Sequence, residues 1–510
     1  MISSSSGALG FLWSASAIDI TLLRSSTFKL EVFDLSEETT TKSAVQLAEL
    51  IRARVVSPVE VVEAYLQRIE QINPSLNAIV TLADDAIDQA RIAEAALTRG
   101  DEIGPLHGVP LTIKDTIDTR GLRTTGGSRL CADRVPDRDA TVVERLKGAG
   151  AIILGKTNTP EMAIPYETDN PVFGRTNNPH NPLMTPGGSS GGEAAAIAAC
   201  LSPAGIGSDL SGSIRVPAHF CGIVGLKPTA GRVPADGHTP AATGPLSLGE
   251  CVGPMARHVK DLDLLFRVIS DAPQFENNAD TSSSQLSVAS LAGMRAAFFT
   301  RDKSFPVTEE TTEAVEAAAK ALSEAGLEVN EAKPPGISEG SRLWIDLFSR
   351  AAREQLREFY RGRESEAGPL VSRALQAGAR EENDLGAKME RAEALARALV
   401  ERERLREEIL RWMKTTPLIV MPAGAGPAFA HGASRVDIRG QSISIFRACG
   451  HSHAANVFGL PSAVVPAGRS AEGLPIGVQI VGRPFDERTV LAAAAAIEEA
   501  LGGWQRPPQF

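Results

Sequence analysis

The chain has 510 residues, 43% of them hydrophobic and 22% charged, so it can bury a sizeable core, and disorder is excluded as its general state. A net charge of −10 without any long basic stripe argues against a surface that tracks nucleic acid. The five cysteines are odd in number, far apart and without a CxxC pair, which fits a reducing compartment and excludes a disulfide frame or a zinc site. A cytoplasmic protein without a metal or other cofactor is the resulting expectation.

Gly7 to Ser16 is mildly apolar, but no Lys or Arg precedes it and Asp19 follows soon after. It reads neither as a signal peptide nor as a membrane span. Residues 1–40 are expected to form a weakly ordered extension. Patterning begins near Lys42. Ser57-Pro58-Val59-Glu60 combines a capping hydroxyl, a first-turn proline and a glutamate three residues after the serine, which predicts a helix start. A second helix is predicted over Ala86–Thr98, closed by Gly100. In Val109–Lys114 the residues Val109, Leu111 and Ile113 share one face of a strand and Lys114 takes the other. Thr141–Lys147 reads as a helix and Ala151–Gly155 as a buried strand, implying α/β layering. Glu193–Cys200 is a small-residue helix and Ala204–Gly207 a strand feeding a tight loop. Residues 268–290 read as a surface connection, and 310–325 and 340–413 as helical. In the latter, Met389, Ala392, Leu395, Leu399, Ile409 and Met413 form a stripe expected to contact the core. Strands at Pro417–Met421, Ser462–Pro466 and Ile476–Val481 and a helix at Glu487–Ala500 complete the pattern. No repeat is visible.

The densest chemistry lies in Gly187-Gly188-Ser189-Ser190-Gly191-Gly192 and, 24 residues after Ser189, in the loop Asp209-Leu210-Ser211-Gly212-Ser213-Ile214-Arg215. Such glycines let backbone amides approach a ligand. A phosphate loop needs a Gly-Lys-Ser/Thr step, which is missing. A turn with only a packing role is the bland reading. The sharper one is an oxyanion hole made by the amides of Leu210, Ser211, Gly212 and Ser213, each worth about 3 kcal/mol in a transition state. A serine beside it needs a base. No G-x-S-x-G elbow surrounds Ser213 and nothing ties any of the eight histidines to an Asp in a known order, so all eight, including His219, His451 and His453, read as structural.

Several ordered motifs together resemble the amidase signature family. They are Gly108–Asp115, Gly187–Gly192, Asp209–Arg215, Pro217–Thr229, Gly459-Leu460-Pro461 and Leu474–Gly482. The resemblance is dense over 104–260 and thin over 270–415. It implies a single α/β/α domain over 41–502 with a mixed central sheet, core parts at 104–260 and 414–500, and a helical region at 300–413 that sets substrate selectivity. It further implies a Ser–cis-Ser–Lys triad: Ser213 as nucleophile, Ser189 as bridging serine after a cis bond from Gly188, and Lys114 as base. Lys114 must then be buried, because an ordinary lysine with a pKa near 10.4 accepts no proton at neutral pH. Asp115 should point to the opposite face. Ser190, Asp209 and Arg215 are expected to support the loop. Ser211 departs from the family, which usually has glycine there; its Cβ would strain a positive φ.

The function expected is hydrolysis of a small-molecule amide through an acyl-enzyme, with no nucleic-acid or membrane partner and with a homodimer left open. Met162 and Tyr166 are candidates for the acyl side, with core packing equally open for Met162, and Arg435–Ala454 for selectivity. The nearest rival is the glutaminase subunit of a tRNA-dependent amidotransferase. That group usually shows Thr-Gly-Gly-Ser-Ile-Arg-Gln, against Leu210-Ser211-Gly212-Ser213-Ile214-Arg215-Val216 here, and an Arg-Tyr-Gly-Leu stretch where this chain has Ala235-Asp236-Gly237-His238. A stand-alone amidase is therefore the preferred reading. A catalytically inactive binding protein rests only on Ser211, and a metal-dependent amidohydrolase would need clustered ligands.

Overall fold

A computed structural model describes residues 38–164, 166–270, 286–300, 302, 304–376 and 385–510. Most of the extension expected over 1–40, and most of the connection expected over 268–290, lie outside the described residues. Residues 38–41 are already helical. The Ser57 start forms as expected: its side chain accepts from Glu60 N while Glu60 returns a bond to Ser57 N, and the helix runs Pro58–Leu76. The helix Ala86–Arg99 ends at Gly100 in the left-handed region with φ 80°, where a side chain would be strained.

The strands, in chain order, are β1 (Ile79–Leu82), β2 (Pro110–Lys114), β3 (Ile152–Thr157), β4 (Ala204–Asp209), β5 (Val224–Lys227), β6 (Cys251–Ala256), β7 (Arg295–Phe298), β8 (Glu328–Glu331), β9 (Leu418–Pro422), β10 (Arg435–Ile438), β11 (Gln441–Ser444), β12 (Ser462–Arg469) and β13 (Pro475–Val481). Eleven form one sheet in the order β1-β3-β2-β4-β6-β5-β12-β13-β9-β7-β8, and β10 and β11 make a separate hairpin. β3, β2 and β4 run parallel, as do β9, β7 and β8, while the strands between them are antiparallel. The sheet is therefore mixed, as expected.

Strand alternation divides two helical layers. Leu111 and Ile113 of β2 and Ala463 and Val465 of β12 join one large core with Leu47, Val61, Val143, Leu262, Val315 and Leu491 from the flanking helices. Val464 faces the other way, with Ala194, Ile197 and Ala218 from the helices Gly191–Ala198 and Arg215–Cys221. On the same side Ile419, Met421 and Val481 carry a helical cover built from Gly340–Trp344, a π-turn at Ile345–Ser349, and the helices Arg350–Tyr360 and Leu385–Met413. The expected stripe on that last helix holds only in its C-terminal part. Ile409 and Met413 are buried and Leu395 and Leu399 partly so, but Met389 is 61% exposed and Ala392 is exposed too. No described helix is long and apolar enough to cross a membrane.

Candidate active site

Lys114 ends β2 on the face opposite Leu111 and Ile113, as the alternation requires, and is fully buried because the layer around Gly191–Ala198 closes over it. Its Nζ donates to Ser189 Oγ at 2.6 Å and to Ser208 Oγ at 2.9 Å. Burial pulls its pKa down to about 7, against the opposing pull of Glu250, Asp209 and Glu193. Three carboxylates thus lie within electrostatic reach, and desolvation still wins. Asp115 points away, accepting from Thr125 N and Oγ1. Beneath the lysine, Glu193 bonds Thr112 and Thr157, and burial raises its pKa to about 7.

The Gly188–Ser189 bond is cis, as expected. Ser189 and Ser213 line the same cavity. Ser213 Oγ makes no hydrogen bond among the described residues, whereas its carbonyl receives Ser190 N at 3.1 Å. Ser190 also braces the end of β4, its hydroxyl lying 3.3 Å from both Ser208 N and Ser208 O.

The nucleophile loop is wound around Asp209. That carboxylate accepts from Gly212 N at 2.7 Å, Ile214 N at 3.1 Å, Arg215 Nε at 3.0 Å and Asn456 Nδ2 at 3.0 Å. Burial would push its pKa up, but the Arg215 guanidinium and these donors hold it well below the usual carboxylate range. Arg215 in turn reaches Ser452 O, Gln479 and Asn456. Both ions are fully buried.

Two expectations for the loop need correction. The N–H of Gly212, expected in the oxyanion hole, is spent on Asp209, because a buried carboxylate must fill its acceptor sites. The N–H groups of Leu210, Ser211 and Ser213 meet no protein acceptor among the described residues. Ser211 brings no strain either: the positive φ of 106° falls on Gly212, where a Cβ would lie 2.6 Å from Ser452 Cβ. The carbonyls are held from outside. Trp344 Nε1 donates to Leu210 O at 2.8 Å, and Tyr166 Oη donates to Ser211 O at 3.0 Å.

The cavity above these groups has a volume of about 470 Å³. Met162 and Tyr166 line it, joined by Leu246, Trp344, Leu356 and Phe446, with Arg353 among the charged members. The helical cover thus supplies much of the wall, and Phe446 is the residue of Arg435–Ala454 that reaches it. Sequence reasoning missed Ser208, His238, Glu250 and Trp344. His238 Nε2 lies 2.9 Å from Ser208 Oγ, and its Nδ1 lies 2.9 Å from Pro240 O and from Glu250 Oε1. No spacing rule links positions 208, 238 and 250; the antiparallel pairing of β4 with β6 brings 208 and 250 together, and a bridge between His238 and Ile117, just after β2, brings in the third. Structural roles fit other histidines. His219 bridges Gly426 O and Gly477 N, and His453 sits between Tyr166 and Ser341.

The geometry has counterparts in known proteins. A model of the amidase family matches residues 60–491. A glutamyl-tRNA(Gln) amidotransferase subunit from Thermus thermophilus is 35% identical over 89% of this chain and 97% of its own. Among solved structures, a chain from a vestigial protein complex bearing on the origins of an s-triazine catabolic enzyme superposes with a TM-score of 0.80 at 27% identity, over 91% of this chain and all of the other. The 6-aminohexanoate cyclic dimer hydrolase does so with a TM-score of 0.76 at 29% identity, over 92% and 98%. The amidotransferase matches lean against the preference for a stand-alone amidase and toward its rival.

Proposed function

Since the chain belongs to the amidase signature family of C–N hydrolases, we propose that it cleaves amides through an acyl-enzyme, with Ser213 as nucleophile, Ser189 as relay and Lys114 as base. The observation that carries this reading is a buried lysine 2.6 Å from the Oγ of Ser189, which lines one cavity together with Ser213. Ser213 attacks the carbonyl carbon as its proton passes to Ser189 and the proton of Ser189 passes to Lys114. The amides of Leu210, Ser211 and Ser213 receive the oxyanion, at about 3 kcal/mol per well-placed donor. Collapse breaks the C–N bond while the same relay protonates the leaving nitrogen. Water then releases the acid by the reverse route. Asp209 and Arg215 keep the loop in shape and touch no reacting atom.

Two substrate readings have support. The amidotransferase relatives favour glutamine hydrolysis in the service of a protein partner, and they make this the better-supported reading by descent. Arg353 in the cavity wall offers a cation for a substrate carboxylate. The largely apolar wall favours an uncharged amide hydrolysed without a partner, because burying an unpaired ion costs several kcal/mol. The deciding experiment incubates the purified chain with glutamine and with acyl 4-nitroanilides of graded chain length. Anilide turnover by the chain alone supports the stand-alone reading. Ammonia release from glutamine only when a co-purified partner is added supports the other. Turnover that survives Ser213→Ala contradicts both.

A further inference from the structure

Lys114 can act as a base only after it has shed a proton, and the route drawn for catalysis leads toward Ser189 alone. A second chain leaves the lysine on its other side. Lys114 Nζ donates to Ser208 Oγ at 2.9 Å, so that oxygen is an acceptor there and its own proton is free to point elsewhere. The neighbour in reach is His238 Nε2, at 2.9 Å. At the far side of the ring, Nδ1 lies 2.9 Å from two acceptors, Pro240 O and Glu250 Oε1, so Nδ1 carries the hydrogen and Nε2 is left as a lone-pair acceptor. Every bond therefore runs one way: lysine to serine, serine to histidine, histidine to the Pro240 carbonyl, with Glu250 Oε1 2.9 Å from the same ring nitrogen. The side chains of His238 and Glu250 are only 3% and 8% exposed, which limits competition from water.

We propose that His238, oriented by the Pro240 carbonyl and flanked by Glu250, is a positioning residue that takes up the proton Lys114 must lose, receiving it through the Ser208 hydroxyl. The proposal rests on the acyl-enzyme reading above. In the step, one N–H bond of the lysine ammonium breaks and its proton joins Ser208 Oγ, while the Ser208 proton leaves to form an N–H bond at His238 Nε2. The products are a neutral amine and an imidazolium, and the total charge is unchanged. Glu250 Oε1, 2.9 Å from Nδ1, faces the ring on the side away from Ser208. Glu250 itself, together with Asp209 and Glu193, also acts on Lys114 and favours its charged form. The arrangement keeps the displaced proton inside the site, one hydroxyl away from the amine.

The test uses the full chain and an alkyl fluorophosphonate, which needs no knowledge of the substrate. The Ser213 Oγ–P bond forms, the P–F bond breaks with loss of fluoride, and the serine proton follows the Ser189–Lys114 route. The second-order labelling rate is measured from pH 5 to pH 9. His238→Gln is expected to move the acid limb upward by about one pH unit, a roughly tenfold loss near pH 6 that shrinks as the pH rises. Glu250→Gln discriminates further. Glu250 also acts on Lys114 directly, so its removal by itself eases deprotonation and moves the limb down; the relay requires the loss of its charge beside His238 to outweigh that and the limb to move up. Ser208→Ala should behave as His238→Gln, and Ser208→Thr, which keeps the hydroxyl, should bring the limb back. If His238→Gln does not fold, the two Ser208 variants decide the matter by themselves. An unmoved limb in Ser208→Ala, or an equal loss at every pH, overturns the proposal. Labelling that persists in Ser213→Ala would instead defeat the acyl-enzyme reading on which it rests.

Discussion

The two walls of the cavity are built on different principles. The floor, from β2, β4 and the loops after Pro186 and Asp209, is made of small residues and buried ions locked by side-chain bonds. Arg215, Asp209, Asn456 and Gln479 form one closed network. The roof, residues 340–376, is largely helical and is held by a few polar latches, one to the floor and two to Glu161 in the segment after β3. Trp344 donates to Leu210 O, Tyr360 Oη donates to Glu161 at 2.8 Å, and Gly368 N donates to the same carboxylate. A locked floor suits chemistry that tolerates little displacement. A latched roof can change its side chains without disturbing the floor, which is where selectivity between amides is free to vary.

This contrast orders the expected effects. Ser213→Ala should lower kcat/KM by at least about 10⁴-fold on any amide or ester the enzyme accepts, with an unchanged thermal midpoint. A smaller loss would mean that the floor does not carry the chemistry. Asp209→Asn leaves Arg215 as an uncompensated buried cation and should cost about 3–5 kcal/mol in urea unfolding. A cost below about 1 kcal/mol would show that the network is not a unit. The pH dependence follows from Lys114. Its pKa is lowered to about 7 by burial, so the neutral, proton-accepting form dominates above that value and vanishes below it. The rate should therefore be flat in alkali and fall as the pH drops through about 7, by roughly tenfold per unit. The smallest effect belongs to the roof. Trp344→Phe keeps the ring but removes the bond to Leu210 O, worth about 1 kcal/mol, so kcat/KM should fall roughly fivefold. A loss comparable to that of Ser213→Ala would erase the distinction between floor and roof.

The same division explains what was legible in the sequence. Val109–Lys114 shows its strand because an alternating face is written in the residue types. The Ser57 helix start shows because capping is local chemistry. Lys114, Ser189 and Ser213 stood out through the resemblance of the motifs around them. β5 and β6 did not, because β5 is only four residues long with Gly225 inside it, and β6 carries Gly253 and Pro254, which break a strand pattern. His238 and Glu250 were invisible for a different reason: they meet only once β4 pairs with β6 and His238 bridges Ile117 beyond β2. The exposure of Met389 was equally unreadable, since a stripe shows which side of a helix is apolar and not where its support ends.

The proposed chemistry requires Lys114 to be half deprotonated near neutrality. Nitrogen-15 NMR of Lys114 Nζ, titrated from pH 5 to pH 11 and assigned by comparison with Lys114→Met, measures that state. A midpoint near 7 is the expected result. A midpoint near 10.4, the value of a lysine in water, would contradict it.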